Sequence, residues 1–321
     1  MAQKRRNKAV DYTAYLALRM VTLVFHLFPI EWNLRAARRL GDAMWWIIGT
    51  DVPLLRKLIK RRHRDQIMEN LRRSLGDRYS EGELAAIGKA SCEHLVMFCM
   101  ECFFTPRLVT LGTWRRHVRL KNFEEALRVL LQGRGAVLFT GHYGSWELAG
   151  FTLACLGFDT VAVMRPLNNP FINDYLLSIR ERRGLKLLYK KGATAGAQEA
   201  LASGAALGFI ADQDAGRKGL FVDFFGRPAS TQKSVAHAAR SFGVPLIVGC
   251  ARRISWDEFL YELEVADIIY PEDWAGQEDE IFYITQRFMK AQERMVLADP
   301  RQYLWLHRRW KTRPREEREA G

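Results

Sequence analysis

The spacing of apolar positions changes character once along the chain. Between residues 32 and 104 apolar side chains recur at three- and four-residue intervals, which predicts helices throughout. Within this stretch Ser80 and Glu83 make a capping-box pattern at the start of a helix that carries residues 92–104. After Trp114 short apolar runs alternate with helical segments. The runs cover residues 136–140, 160–164, 186–189, 207–211, 246–250 and 260–265. Residues 169–183, 193–203, 232–242 and 279–298 read as helices between or after them. This alternation predicts an α/β fold, a mixed sheet with crossover helices preceded by a helical N-terminal region. The change of texture divides the chain at 1–31, 32–113 and 114–321, with the last two free to pack as one domain. Asp299 as a cap, with Pro300 at the first helical position, predicts one more helix start near the C-terminal end.

The first apolar run, residues 12–30, follows a basic tail and approaches the length that spans a bilayer. Arg19 lies near its middle, where a charge costs about 2.5 to 3.5 kcal/mol on the insertion scale. No small-residue cleavage site follows, so the run does not read as a signal peptide. Basic residues flank it on both sides and give no orientation. A helix in or dipping into the cytoplasmic leaflet accommodates both length and charge, and a buried helix of a globular domain is the alternative. Trp45, Trp46, Ile47 and Ile48 add an aromatic and aliphatic patch, and residues 57–64 (KLIKRRHR) a basic run suited to a solvated face or to anionic headgroups.

Composition narrows the class of protein. With 48% apolar and 26% charged residues the chain is globular, which excludes a disordered segment. Its 49 Lys and Arg against 36 Asp and Glu give a net charge of +13 and imply an anionic partner. Five scattered cysteines read as reduced core residues of a cytosol-facing protein. Cys99 and Cys102 form a CxxC without the second pair that a zinc site needs, so helix packing is expected there and no metal.

The candidate chemistry lies in residues 135–150, GAVLFTGHYGSWELAG. A His followed five residues later by an acid occurs twice, at His142–Glu147 and His26–Glu31, where composition alone gives about 0.8. The second pair falls inside the apolar N-terminal run and is set aside. On a continuous helix the two side chains of such a pair would stand about 140° apart. At His142 a strand-to-helix break removes that obstacle and puts the pair at the carboxyl end of a strand, where open α/β sheets bind ligands. Arg165 ends the next strand and Asp212, Gln213 and Asp214 end a later one, so a base, a guanidinium and acidic and amide groups are expected on one rim.

Four blocks, GHYGSWELAG, MRPLNNPFIND with IRERRG, GFIADQDAGRKGLFVDFFGRPAST and DPRQYLWLHRRWKTRP, resemble the lipid A biosynthesis acyltransferases of the lysophospholipid acyltransferase superfamily. The resemblance implies transfer of a fatty acyl chain from acyl carrier protein to a hydroxyl of a membrane glycolipid on the cytoplasmic face of the bacterial inner membrane. In that reading His142 is the general base and Glu147, the acid of the His-X4-Glu pattern, accepts the other ring N–H and fixes the tautomer. Ser145 is a helix cap, since no GxSxG elbow is present. Backbone N–H groups at the start of its helix, or Arg165, would serve the oxyanion; Arg165 would otherwise bind an acceptor phosphate. Asp212, Gln213 and Asp214 match the family's block, and Arg180 and Arg182 would form a phosphate-binding rim or a solvated face. No metal or bound cofactor is implied. The aromatic and basic residues 303–311 bear no nucleic-acid-binding pattern, and are expected to pack on the core with a basic face toward anionic lipid or the acidic carrier protein. A different lipid acceptor, or a silent lipid-binding homologue, are the rival readings.

Overall fold

The computed structural model describes residues 7–50, 63–182, 184–189 and 193–315. Its centre is a seven-stranded sheet in the order β1 (Val118–Lys121), β9 (Tyr261–Ile269), β8 (Leu246–Arg253), β2 (Ala136–Thr140), β5 (Ala206–Ile210), β3 (Thr160–Met164) and β4 (Lys186–Tyr189). Every neighbouring pair is parallel except β8 with β9, so the predicted mixed sheet is present. Strands β2, β3 and β4 coincide with predicted apolar runs; for β2 and β3 the reason is that interior parallel strands are covered on both faces and read as continuous apolar stretches, whereas β4 is an edge strand that keeps an apolar centre at Leu187 and Leu188. Edge strand β1 and the separate hairpin β6 (Leu220–Phe224) and β7 (Arg227–Thr231) lie outside the predicted runs. In β1 only Val118 is buried, which leaves no apolar pattern to read.

Alternation along β2 sends side chains to two layers. Val137 and Phe139 join one core with Val235, Ala236 and Ala239 of α9 (Ser234–Phe242) and Ile284 and Phe288 of α11 (Glu280–Ala298). Ala136 and Leu138 face the other, with Leu148 and Phe151 of α6 (Trp146–Cys155) and Ala126 and Val129 of α5 (Glu124–Leu131). Behind α6 stands α4 (Glu81–Leu108), opened by the predicted capping box with both reciprocal bonds made by Ser80 and Glu83.

The N-terminal apolar run forms α1 (Lys8–His26) and ends at a corner before α2 (Ile30–Gly49). Pro29 lacks an N–H and disfavours helix at the residue before it, so the chain turns there. Asn33 secures the corner by donating to the carbonyls of Phe25 and Pro29, each at 3.0 Å. No helix among the described residues is long and apolar enough to cross a membrane. Along α2, Ile30, Leu34, Ala37 and Trp45 turn inward, yet Trp32, Leu40 and Trp46 stand exposed on the other side, as do Leu16, Met20 and Val24 of α1. Helix α1 docks on α7 (Pro170–Glu181), where Tyr12 meets Phe171 edge-on and Asn169 donates to Asp11 O at 2.8 Å. Residues 1–6 and 57–62, which hold the basic tail and most of the predicted basic run, lie outside the described residues.

The expected C-terminal helix is absent. Asp299 does cap, but a single turn at Pro300–Gln302 gives way to an irregular strap through Thr312. The physical reason is competition for backbone groups: Leu304 N–H is taken by His142 O and Gly144 N–H by Gln302 O, while Asn70 of α3 (His63–Leu75) donates to the carbonyls of Trp305 and His307. Tyr303, Trp305 and Trp310 are buried as expected, but the basic face is partly inverted. Arg309 is 1% exposed and donates to Ser230 O and Thr231 Oγ1, leaving Arg308 and Lys311 outside.

Candidate active site

The β2–α6 turn carries His142 between two glycines that the packing requires. A Cβ at Gly141 would fall 1.8 Å from the Gln292 amide, and one at Gly144, where φ is +60°, would fall 2.1 Å from Ala251 O. Ser145 caps α6 through Leu148 N–H, as expected, and its own N–H is held by Ala251 O at 2.7 Å. The first-turn N–H groups of Trp146 and Glu147 are without intrahelical partners, as at any helix start.

The ring partner of His142 differs from the one expected. His142 Nδ1–H donates to Asp212 Oδ1 at 2.6 Å, and the backbone N–H of His142 donates to Asp212 Oδ2 at 2.8 Å. Gln292 Nε2 adds a third bond to Oδ2, also at 2.8 Å. The absent Cβ of Gly141 is what lets the Gln292 amide come so close. Glu147, expected on the ring, is instead gripped from Arg180 Nε at 2.7 Å and Nη2 at 2.5 Å, the bidentate geometry that suits guanidinium and carboxylate. A local spacing of five residues lost to a pairing 70 residues apart because the end of β5 lies next to β2 in the sheet.

Burial and charge act in opposite directions on this pair. Burial alone would lower the His142 pKa, but the Asp212 charge and hydrogen bond outweigh it and hold the pKa above the ordinary histidine value. Asp212 is only 2% exposed; burial would raise its pKa, yet the His142 partner, its N–H and Gln292 keep it well below the usual carboxylate range. Arg180 behaves alike, its burial outweighed by Glu147. In the neutral ring Nδ1 carries the hydrogen, so Nε2 is the free base; it accepts from the Gln213 amide at 3.1 Å. Trp146 covers the ring, with centroids 4.9 Å apart.

These groups open onto a cavity of about 750 Å³. His142, Glu147, Arg165, Arg180, Gln213 and Asp214 all contribute to its wall, and Leu138, Leu153, Ala162 and Leu187 make much of the remainder apolar. Arg165 stands at its exposed rim; of the two arginines expected either at a phosphate-binding rim or on a solvated face, Arg180 lines the cavity but is engaged by Glu147, and Arg182 is exposed and outside the lining. Asp214 lines the cavity but spends both carboxylate oxygens on Thr312, through N–H and Oγ1, and its N–H donates to His307 Nε2 at 3.0 Å. Burial lowers the His307 pKa, consistent with a neutral ring that accepts there. Gln292, Trp146 and the strap residues Gln302 and Leu304 are the contributors that the sequence reading missed. The pair Gly141 and Gly144 was the one local sign that something approaches the turn closely.

Comparison with known proteins bears on this geometry. The model of the bacterial lipid A biosynthesis acyltransferase family matches residues 2–312. The lipid A biosynthesis palmitoleoyltransferase of Escherichia coli (strain K12) is 29% identical over 203 residues, 62% of this chain and 63% of that protein. The lipid A biosynthesis lauroyltransferase of the same organism is 28% identical over 206 residues, 64% of each chain. A lipid A biosynthesis acyltransferase of Haemophilus influenzae is 29% identical over 188 residues, 58% of each. The aligned part thus spans somewhat under two thirds of these relatives, while the family model runs through both the His142 turn and the C-terminal strap. The chain belongs to the bacterial lipid A biosynthesis acyltransferase family.

Proposed function

We propose that the protein transfers a fatty acyl chain from acyl carrier protein to a hydroxyl of a membrane glycolipid of the lipid A precursor type, with His142 as general base. The observation that carries this reading is the orientation of His142, whose Nδ1 is committed to buried Asp212 while Nε2 borders the cavity beside Gln213. Such a base takes the acceptor hydroxyl proton on Nε2 as the oxygen attacks the thioester carbonyl. A C–O bond forms and the C–S bond breaks. The imidazolium, stabilised by Asp212, returns the proton to the departing thiolate. Asp212 thus does what the sequence reading gave to Glu147. Oxyanion donation is assigned to the Gln213 amide, which lines the cavity beside Nε2, and to the first-turn N–H groups of Trp146 and Glu147. The apolar wall suits the acyl chain, and Arg165 at the rim suits an acceptor phosphate.

The exposed apolar side chains of α1 and α2 support a monotopic attachment to the cytoplasmic leaflet of the inner membrane, which would present a glycolipid acceptor to the cavity rim. The test is incubation of the purified chain with acyl carrier protein charged with radiolabelled fatty acid and a panel of acceptors: a lipid A precursor, a lysophospholipid and other envelope glycolipids. Label on the precursor is expected. Label on another acceptor alone would change the substrate assignment, and label on none, with acyl chains bound, would leave a lipid-binding protein.

A further inference from the structure

The His142 turn has a second support, from a helix that takes no part in the proton transfer. On α4, His94, Phe98 and Glu101 stand at i, i+4 and i+7 and share one face. His94 Nε2–H donates to Gly144 O at 3.1 Å. Phe98 packs on Trp146, with centroids 3.9 Å apart, and Trp146 in turn covers His142. Glu101 accepts from Arg253 Nη1 at 2.9 Å and from the Tyr261 hydroxyl. Arg253 closes the circuit by donating from Nε to His94 Nδ1 at 3.3 Å.

The circuit fixes one tautomer. A guanidinium has only hydrogens to give, so His94 Nδ1 must accept and Nε2 must carry the hydrogen aimed at Gly144. His94 is 4% exposed and Arg253 and Glu101 are each 1% exposed. Burial, and secondarily the Arg253 charge, push the His94 pKa down to about 3, so the ring stays neutral across the physiological range. The receiving residue is a glycine at positive φ with no side chain to anchor it. Its N–H is held by the strap at Gln302 O; its carbonyl is held by His94.

We propose that His94 is a positioning residue for acyl transfer: its Nε2–H, aimed by Arg253, sets the Gly144 peptide and with it the approach of His142 to the acceptor hydroxyl. The inference rests on the acyl-transfer reading above. A displacement of about 1 Å at a reacting group can cost on the order of 100-fold, so loss of this one bond is expected to appear in kcat.

Two conservative variants separate the donor from mere filling of the site. His94→Gln keeps an N–H near the position of Nε2, whereas His94→Asn keeps a polar atom near Nδ1 but is too short to reach Gly144 O. The full-length chain is assayed in detergent micelles with palmitoyl acyl carrier protein and a lipid A precursor. His94→Asn is expected to lower kcat at least about tenfold, with the donor KM within about twofold, and His94→Gln to remain within about threefold of wild type. Equal losses in both variants, no loss in either, or a loss confined to KM would each overturn the proposal. If the wild-type chain transfers acyl chains to none of the acceptors in the panel above, the acyl-transfer reading falls and takes this inference with it; if it transfers them to any, the two variants, assayed on that acceptor, judge His94 alone.

Discussion

Two charge pairs flank the cavity, alike in distance and unlike in setting. His142–Asp212 closes at 2.6 Å and Arg180–Glu147 at 2.5 Å. Asp212 is nearly sealed from solvent and accepts three hydrogen bonds, two of them from His142 itself. Glu147 and Arg180 retain 19% and 24% side-chain exposure and satisfy each other. The first pair contains a group that can exchange a proton near neutral pH, tuned by a fixed anion. The second joins a carboxylate by two hydrogen bonds to a permanent cation, a guanidinium that has no proton to exchange near neutral pH. Proximity of opposite charges therefore does not identify the reacting pair; the surroundings and the chemistry of the cation do.

The largest expected effect is loss of the base. His142→Ala should lower kcat on the order of 1,000-fold in the acyl-transfer assay, with the fold preserved by circular dichroism; retention of activity would remove His142 from the mechanism. Next comes Asp212→Asn, expected to cost on the order of 100-fold in kcat. This variant also carries a pH signature. The rate needs neutral imidazole, so it rises with pH through the raised His142 pKa; without the Asp212 charge, burial is left to lower that pKa, and the acidic limb of the profile should move to lower pH. An unmoved limb would argue against Asp212 as the group that tunes the ring.

Glu147→Gln and Arg180→Ala are expected to cost about tenfold each, and no more in combination, because either change already breaks the pair. Combined with Asp212→Asn, Glu147→Gln should add its effect independently. Strong coupling between Glu147 and Asp212 would mean that the two pairs work as one unit. The smallest effect should come from Gln292→Met, which removes one of the three bonds to Asp212: about threefold in kcat in the same assay, and an unchanged rate would remove Gln292 from the support of Asp212.

How much of this was legible beforehand follows from the reach of each interaction. Strands β2, β3 and β4, the capping box at Ser80 and the Ser145 cap were read from the chain because propensity, periodicity and capping act within a few residues. The turn itself was found for the same reason. The partner of His142 was misassigned because the nearest acid in sequence is on a helix that faces Arg180, while Asp212 arrives through strand pairing. The C-terminal segment was misread because Asp299 and Pro300 do start a helical turn, and only the contacts with Gly144, His142 and Asn70 stop it from continuing.

By itself, then, the sequence determined the α/β alternation, the His142 turn with its flanking glycines, and a family likeness spread over four blocks. The tertiary structure decided which acid holds the imidazole, where Glu147 and Arg180 spend their charges, and that α4 and the C-terminal strap clamp the turn from two sides. The division is physical. Local rules are written in consecutive residues, but a hydrogen bond between side chains 70 residues apart exists only once sheet order has brought two strand ends together, and one 80 residues apart only once α11 has packed against them.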